Sequence, residues 1–170
     1  FDQREGLIWL DGEFVEWSQA RLHVLTHGLH YASTVYEGER VYNGKVFKLR
    51  EHSERLYRSA HLMDFVIPFE LAELESASHE LLQRNSVVDG YLRPVAWRGS
   101  EMISTSARFN RVHVAIACWQ WPSYFDPAAR MVLRTLARRP LRTALSVLGI
   151  GLACGILVMS RFQDAALNDM

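Results

Sequence analysis

Only two cysteines, Cys118 and Cys154, occur among the 170 residues, and they lie far apart. That excludes a disulfide framework and a clustered zinc pattern, and makes a reducing, cytosolic setting the simplest reading for the first part of the chain. Net charge is missing as well: 19 Lys and Arg balance 19 Asp and Glu, so the chain as a whole implies no nucleic-acid partner. Internal repeats and low-complexity tracts are absent. So is an apolar segment near the start, where Phe1 to Glu5 is polar and charged, which argues against a signal peptide. The opening residue, Phe1 in place of Met, fits a sequence that begins inside a longer one.

What is present divides near Arg130. Before it, charges, aromatics and turn residues are interspersed as in a water-soluble α+β domain. Ile8–Leu10 and Glu13–Trp17 flank Asp11-Gly12, and Val41-Tyr42 and Val46-Phe47 flank Asn43-Gly44. Each dipeptide is a two-residue hairpin signal, so an antiparallel sheet is expected. Leu56, Ala60 and Met63 recur at helical spacing over Arg50 to Met63, and Leu71, Leu74, Ala77, Leu81 and Leu82 repeat the pattern after Pro68. Asp89-Gly90 closes that helical region. Tyr91–Trp97 and Val112–Trp119 are rich in β-branched and aromatic residues and read as strands. The expected fold is a small antiparallel sheet with two helices over residues 1–125, a basic linker over 126–139, and a long hydrophobic helix over 140–170.

Three polar clusters stand out on the first domain. In R-E-H-S-E-R-L (Arg50 to Leu56), the planar fork of Arg55 suits a phosphate, or else pairs with Glu51 one turn earlier on a solvated face. In Y-E-G-E-R-V-Y (Tyr36 to Tyr42), a mid-strand glycine among aromatics marks close approach of a backbone or ligand. In Y-L-R-P, Tyr91 and Arg93 stand two apart in a strand and share a face, where they hold a carboxylate or serve as a core tyrosine and a surface-paired arginine.

Taken in order, these clusters, together with H-V-L-T-H-G-L-H-Y (His23 to Tyr31), D-G-Y-L-R-P-V-A-W-R-G (Asp89 to Gly99) and W-P-S-Y (Trp121 to Tyr124), closely resemble the small N-terminal domain of class IV, branched-chain amino acid aminotransferases. The likeness covers residues 5 to 130. It implies pyridoxal 5′-phosphate as cofactor, amino acids and 2-oxo acids as substrates, and a cytoplasmic homo-oligomer. By the same resemblance Arg55 grips the cofactor phosphate, Tyr36 lines the side-chain pocket, and Tyr31 reaches a neighbouring subunit's site. Tyr91 and Arg93 meet substrate carboxylates, Arg93 serving the distal carboxylate of glutamate. Trp121 and Tyr124 belong to the loop that covers the pocket, and Arg40 takes a supporting place near the active-site strand. Aromatics would enclose a branched side chain while Arg93 pairs the second carboxylate of glutamate, so one cavity serves two unlike substrates.

Transamination also needs a lysine that holds the cofactor as an imine, and the chain has only Lys45 and Lys48, both beside the Asn43-Gly44 turn. In the family that lysine belongs to a large C-terminal domain, as does the acidic partner of the pyridine nitrogen, and neither has a counterpart here. The chain is therefore expected to lack a catalytic residue, to read as truncated and to be inert alone, with cofactor binding by it alone in doubt. Beyond Arg130 the character changes. Arg130, Arg134, Arg138, Arg139 and Arg142 precede Ala144 to Met159, an uncharged run of 16 residues. At 1.5 Å per residue it spans about 24 Å, short of a roughly 30 Å hydrocarbon core unless Arg142 and Arg161 snorkel. Leu136 to Gly151 resembles the first transmembrane segment of FtsX/MacB-like ABC transporter permeases, which implies a membrane tether. No chemistry links amino-group transfer to a permease helix, so the join reads first as a chimera of two unrelated coding fragments, ahead of a true fusion that tethers the domain to a membrane or a tail that packs on the domain in place of the missing interface.

Overall fold

Backbone demands at two dipeptides set the hairpins in the computed structural model, which describes residues 2–121, 131, 145 and 148–155. In chain order the elements are β1 (Leu7–Leu10), β2 (Glu13–Glu16), a 3-10 turn (Trp17–Gln19), α1 (His27–Tyr31), β3 (Thr34–Tyr36), β4 (Glu39–Tyr42), β5 (Lys45–Val46), α2 (Leu49–Leu62), α3 (Leu71–Arg84), β6 (Gly90–Arg98) and β7 (Val112–Gln120). Asp11 and Gly12 adopt φ of 49° and 100°, and Asn43 and Gly44 adopt 49° and 70°. Two consecutive positive φ values are what a tight hairpin of the primed type requires, and Asx-Gly supplies them at little steric cost. Both expected hairpins form, Leu10 facing Glu13 and Tyr42 facing Lys45.

The strands make one antiparallel sheet in the order β2-β1-β7-β6-β4-β5, with β3 also on β6. Thr34–Tyr36 pair with Trp97–Val95, and Glu39–Val41 pair with Leu92–Gly90. β3 and β4 thus behave as one strand alongside β6, interrupted at Glu37-Gly38. The glycine expected in mid-strand lies in that break.

Strand alternation then sorts the chemistry. Leu92 and Ala96 of β6, Val114 and Ile116 of β7, Trp9 and Val41 face α2 and α3, where Leu56, Ala60, Leu74, Leu81 and Leu82 complete the buried core. Each helix has 14 residues, near the length at which isolated helices are marginal, so burial and not propensity holds them. A fully buried Leu or Ile contributes about 1.5–3 kcal/mol of transfer free energy. Tyr57 Oη donates to the Phe69 carbonyl at 2.6 Å, and Phe69 meets Trp9 edge-on at 4.9 Å, which fixes the α2–α3 connection on the core. The opposite face of β6 carries Tyr91, Arg93, Val95 and Trp97.

Both helices fall within a residue or two of their expected bounds, and the two long strands form as expected. α1 and β3 are not signalled by periodicity. Asp89-Gly90 does not terminate the helix, which stops at Arg84. Instead Gly90 opens β6, and the Asp89 carboxylate accepts the Asn43 N–H at 3.3 Å, tying the β4–β5 turn to the sheet. At the other end His113 joins the first hairpin to the loop before β7. Its Nδ1 lies 2.6 Å from Asp11, its Nε2 3.4 Å from Glu101, and its ring stacks on Trp97. Burial alone would lower the His113 pKa, but the two carboxylates outweigh it and raise it. Because the shift is upward, this clamp stabilises the fold fully below the ordinary histidine range and is lost as pH rises through the folded value.

The chain divides into two compact units, Phe1–Pro122 and Ser123–Met170. In the second, residues 148–155 are helical, and Leu148, Ile150 and Leu152 are exposed. The linker over 126–139 and most of the helix expected over 140–170 lie outside the described residues. Among the described residues no helix is long and apolar enough to cross a membrane.

Candidate functional site

The break at Glu37-Gly38 organises the site by sending neighbouring side chains to opposite faces. Tyr36 goes to the face away from the helices, and Glu37 goes toward α2. Between them Gly38 leaves room for the Tyr91 phenol: a Cβ there would fall 1.8 Å from Tyr91 Oη and 2.8 Å from its Cζ. The close approach read from the glycine is therefore to a tyrosine of the adjacent strand. The Glu37 N–H donates to the Pro94 carbonyl at 3.0 Å, which holds the break in register.

On the first face Tyr91 and Arg93 do share a side, as their spacing implies. Arg93 Nη2 donates to Tyr91 Oη at 3.3 Å, and its guanidinium lies 4.5 Å from the Tyr36 ring centre and 5.3 Å from that of Tyr91. Tyr91 packs against Trp119 at 5.2 Å and Trp121 at 5.6 Å. Arg40 sits directly across from Tyr91, lies 5.4 Å from the Tyr42 ring centre, and donates to the Trp121 carbonyl at 3.4 Å. Neither Arg40 nor Arg93 pairs with a carboxylate among the described residues, and Arg40 Nη1 and Arg93 Nε are buried without a hydrogen-bond partner. Two uncompensated guanidinium groups among aromatic rings form an electropositive, partly dry surface suited to a carboxylate. Arg93 also borders an apolar hollow of about 270 Å³ lined by Ile8, Leu10, Leu22, Leu29, Val95 and Trp97, among others.

On the second face Arg55 pairs with Glu37 and not with Glu51. Its Nε and Nη2 donate to the two Glu37 oxygens at 2.6 and 2.5 Å, while Glu51 pairs with Lys48 at 3.5 Å. His52 Nδ1 lies 3.0 Å from the same Glu37 carboxylate. Burial alone would raise the Glu37 pKa, but the hydrogen bonds and charges of Arg55 and His52 outweigh it and hold the carboxyl below its ordinary range. Two residues on, Glu39 is completely buried and neither of its carboxyl oxygens has a partner. Burial above all, then repulsion from Glu37, pushes its pKa up to about 8, so it is a neutral acid at pH 7.

The structure brings Tyr36, Tyr91, Arg93 and Trp121 together and ties Arg55 to the same break through Glu37. Tyr31 stands apart on α1, exposed, its ring against His27 at 4.6 Å and His30 at 6.4 Å. His27 is buried: its Nε2 faces the Ser104 carbonyl at 2.9 Å, which requires hydrogen on that nitrogen, and its Nδ1 lies 2.6 Å from Ser33 Oγ. The histidine thus fastens α1 to the loop before β7. Tyr124 lies outside the described residues. Sequence reasoning missed Glu37 as the partner of Arg55 and Glu39 as a buried acid. The signal was available, since Glu37 and Glu39 share the alternation of core residues Val35 and Val41.

For pyridoxal 5′-phosphate, Glu37 takes the Nε and Nη2 of Arg55 and leaves Nη1 for a phosphate, and the lysines of the chain are Lys45 and Lys48. Lys48 is exposed, has left-handed backbone at the start of α2 and is paired with Glu51. Lys45 is exposed on β5.

Comparison with known proteins places this architecture. The family described as "Amino-transferase class IV" matches residues 34–152. The branched-chain-amino-acid aminotransferase of Pseudomonas aeruginosa is 41% identical over 130 residues, covering 74% of this chain and 42% of that protein. The T.th. branched-chain amino acid aminotransferase, solved with pyridoxamine 5′-phosphate, superposes with a TM-score of 0.69 at 38% identity, over 74% of this chain and 43% of its own. The same enzyme complexed with N-(5′-phosphopyridoxyl)-L-glutamate gives 0.66 at 39%, over 69% and 41%. The chain thus spans about two-fifths of the length of these relatives. With 119 of its residues matched by the family, the chain belongs to the class IV aminotransferases.

Proposed function

We propose that residues 5–121 are the substrate-side small domain of a branched-chain amino acid aminotransferase, which moves an amino group between L-leucine, L-isoleucine or L-valine and 2-oxoglutarate. The observation that carries this reading is the pair of uncompensated guanidinium groups, Arg40 and Arg93, set among Tyr36, Tyr91 and Trp121. Arg93 takes the distal carboxylate of glutamate, with Tyr91 holding its guanidinium through the phenol. Tyr36 and Trp121 flank the aliphatic side chain, and Arg40 keeps the Trp121 backbone against the sheet. The glutamyl group in the T.th. enzyme complex agrees with a second carboxylate in this pocket. Exposed Tyr31 serves the site of a second copy in a homo-oligomer. Arg55 holds the phosphate of pyridoxal 5′-phosphate, which when bound supplies the electron sink for amino-group transfer. Neither Lys45 nor Lys48 is placed to anchor it, so the covalent chemistry lies outside what these 170 residues supply.

A graft tests the substrate assignment. Residues 1–122 replace the corresponding part of the Pseudomonas aeruginosa relative, and transfer from L-leucine to 2-oxoglutarate is assayed. The graft is expected to be active. Arg93→Met in it should raise KM for 2-oxoglutarate about 10- to 100-fold, the worth of a lost charge-assisted hydrogen-bond pair. The 2-oxo acid of leucine, lacking a second carboxylate, should be much less affected. Equal effects on both substrates would remove Arg93 from the distal-carboxylate role.

A further inference from the structure

We propose that Glu37 is a positioning residue that orients Arg55 so that its outer edge receives a phosphate monoester. This rests on the phosphate reading of Arg55 given above, and adds the device that makes a surface arginine into a site. Arg55 projects from the middle of α2 with its side chain 54% exposed. An arginine so exposed ordinarily samples many rotamers, and ordering it on a ligand costs free energy. Here the ordering is already done. Glu37 is only 5% exposed, its backbone is bonded to Pro94 at the strand break, and its carboxylate takes Arg55 in a two-point grip.

That grip uses Nε and Nη2. Nη2 also lies 3.2 Å from His52 Nδ1, whereas among the described residues no partner meets Nη1, so its two hydrogens are left turned away from Glu37. That nitrogen carries charge-assisted donors of the kind a phosphate oxygen accepts from arginine. His52 Nδ1, 3.0 Å from Glu37 and 3.2 Å from Arg55 Nη2, braces the pair from the preceding helical turn.

The arrangement separates two effects of opposite sign. If Glu37 acted on a phosphate only through its charge, removing it would strengthen anion binding. A positioning role requires that removing it weaken binding, although the local charge becomes more positive.

The full chain, labelled with ¹⁵N, is titrated with inorganic phosphate, and the Arg55 Nε–H resonance is followed together with hydrogen exchange at that group. In the parent chain the Nε–H of Arg55 should exchange more slowly than those of Arg50 and Arg84, whose Nε partners Glu54 and Glu80 are exposed, and should shift with phosphate. Glu37→Ala should speed its exchange and weaken phosphate binding about tenfold, and the isosteric Glu37→Gln should fall between. Equal or tighter binding in these variants overturns the positioning role, as does Arg55 exchange in the parent as fast as that of Arg50, a comparison needing no variant. Arg55→Ala tests the underlying reading separately. If it binds phosphate as well as the parent, Arg55 is not the phosphate residue, whereas loss of binding there with unchanged binding in Glu37→Gln rejects only the role of Glu37.

Discussion

Glu39→Leu is expected to raise the unfolding free energy of the chain by roughly 2–5 kcal/mol at pH 8.5, measured by chemical denaturation. Leucine has a similar volume and removes two buried carboxyl oxygens that have no hydrogen-bond partner. The dependence on pH carries the more specific expectation. In the unfolded chain this carboxyl ionises near the ordinary 4.5, whereas in the fold burial and Glu37 push its pKa up to about 8. Between those values the unfolded state binds fewer protons than the folded one, so the stability contributed by this group falls as pH rises and levels off above about 8. The gain of the leucine variant should therefore be smallest below pH 4.5 and grow to its full size above pH 8. A gain independent of pH, or a loss, would show that the Glu39 carboxyl is solvated or paired in solution.

Gly38→Ala is expected to destabilise the chain by about 1–3 kcal/mol, the usual scale for overpacking, and to displace the Tyr91 ring. The added methyl would lie 1.8 Å from Tyr91 Oη and 2.8 Å from its Cζ, so losing the hydroxyl alone does not relieve the clash. The ring must move away from its contacts with Arg93, Trp119 and Trp121. Tryptophan fluorescence should report that movement. The pair is also coupled: after Tyr91→Ala the methyl enters vacated space, and a double-mutant cycle should give an interaction of at least about 1 kcal/mol. Additive effects would mean that the phenol does not cover Gly38.

The parts of the fold that were legible in the sequence are those governed by local rules. Asp11-Gly12 and Asn43-Gly44 announce their turns because few other residues tolerate two positive φ values in succession. The stripes through Leu56 and Ala60, and through Leu74, Ala77 and Leu81, announce α2 and α3 because only one face of each finds the sheet. The shared face of Tyr91 and Arg93 follows from strand alternation alone. What was not legible depends on distant partners. Arg55 has a nearby acid in Glu51, and helical spacing favours that pair, yet the strand break delivers a better-buried carboxylate from 18 positions earlier. α1 has five residues and no periodic stripe, and it is fixed by His27 reaching Ser104, 77 positions away. β3 is three residues long and exists because β6 extends far enough to pair with it after β4 has turned away.

The two ends of a cofactor site are unequally represented in this chain. On the proposed reading arginines and aromatics are assigned to the substrate and the phosphate, while the two lysines are an exposed strand residue and a helix-start residue bound to Glu51. Borohydride reduction after incubation of the 170-residue chain with one equivalent of pyridoxal 5′-phosphate, followed by intact mass and peptide mapping, tests this directly. The expected result is trace labelling of Lys45 and Lys48 at the level of any exposed lysine. Near-complete attachment at one of them would contradict it.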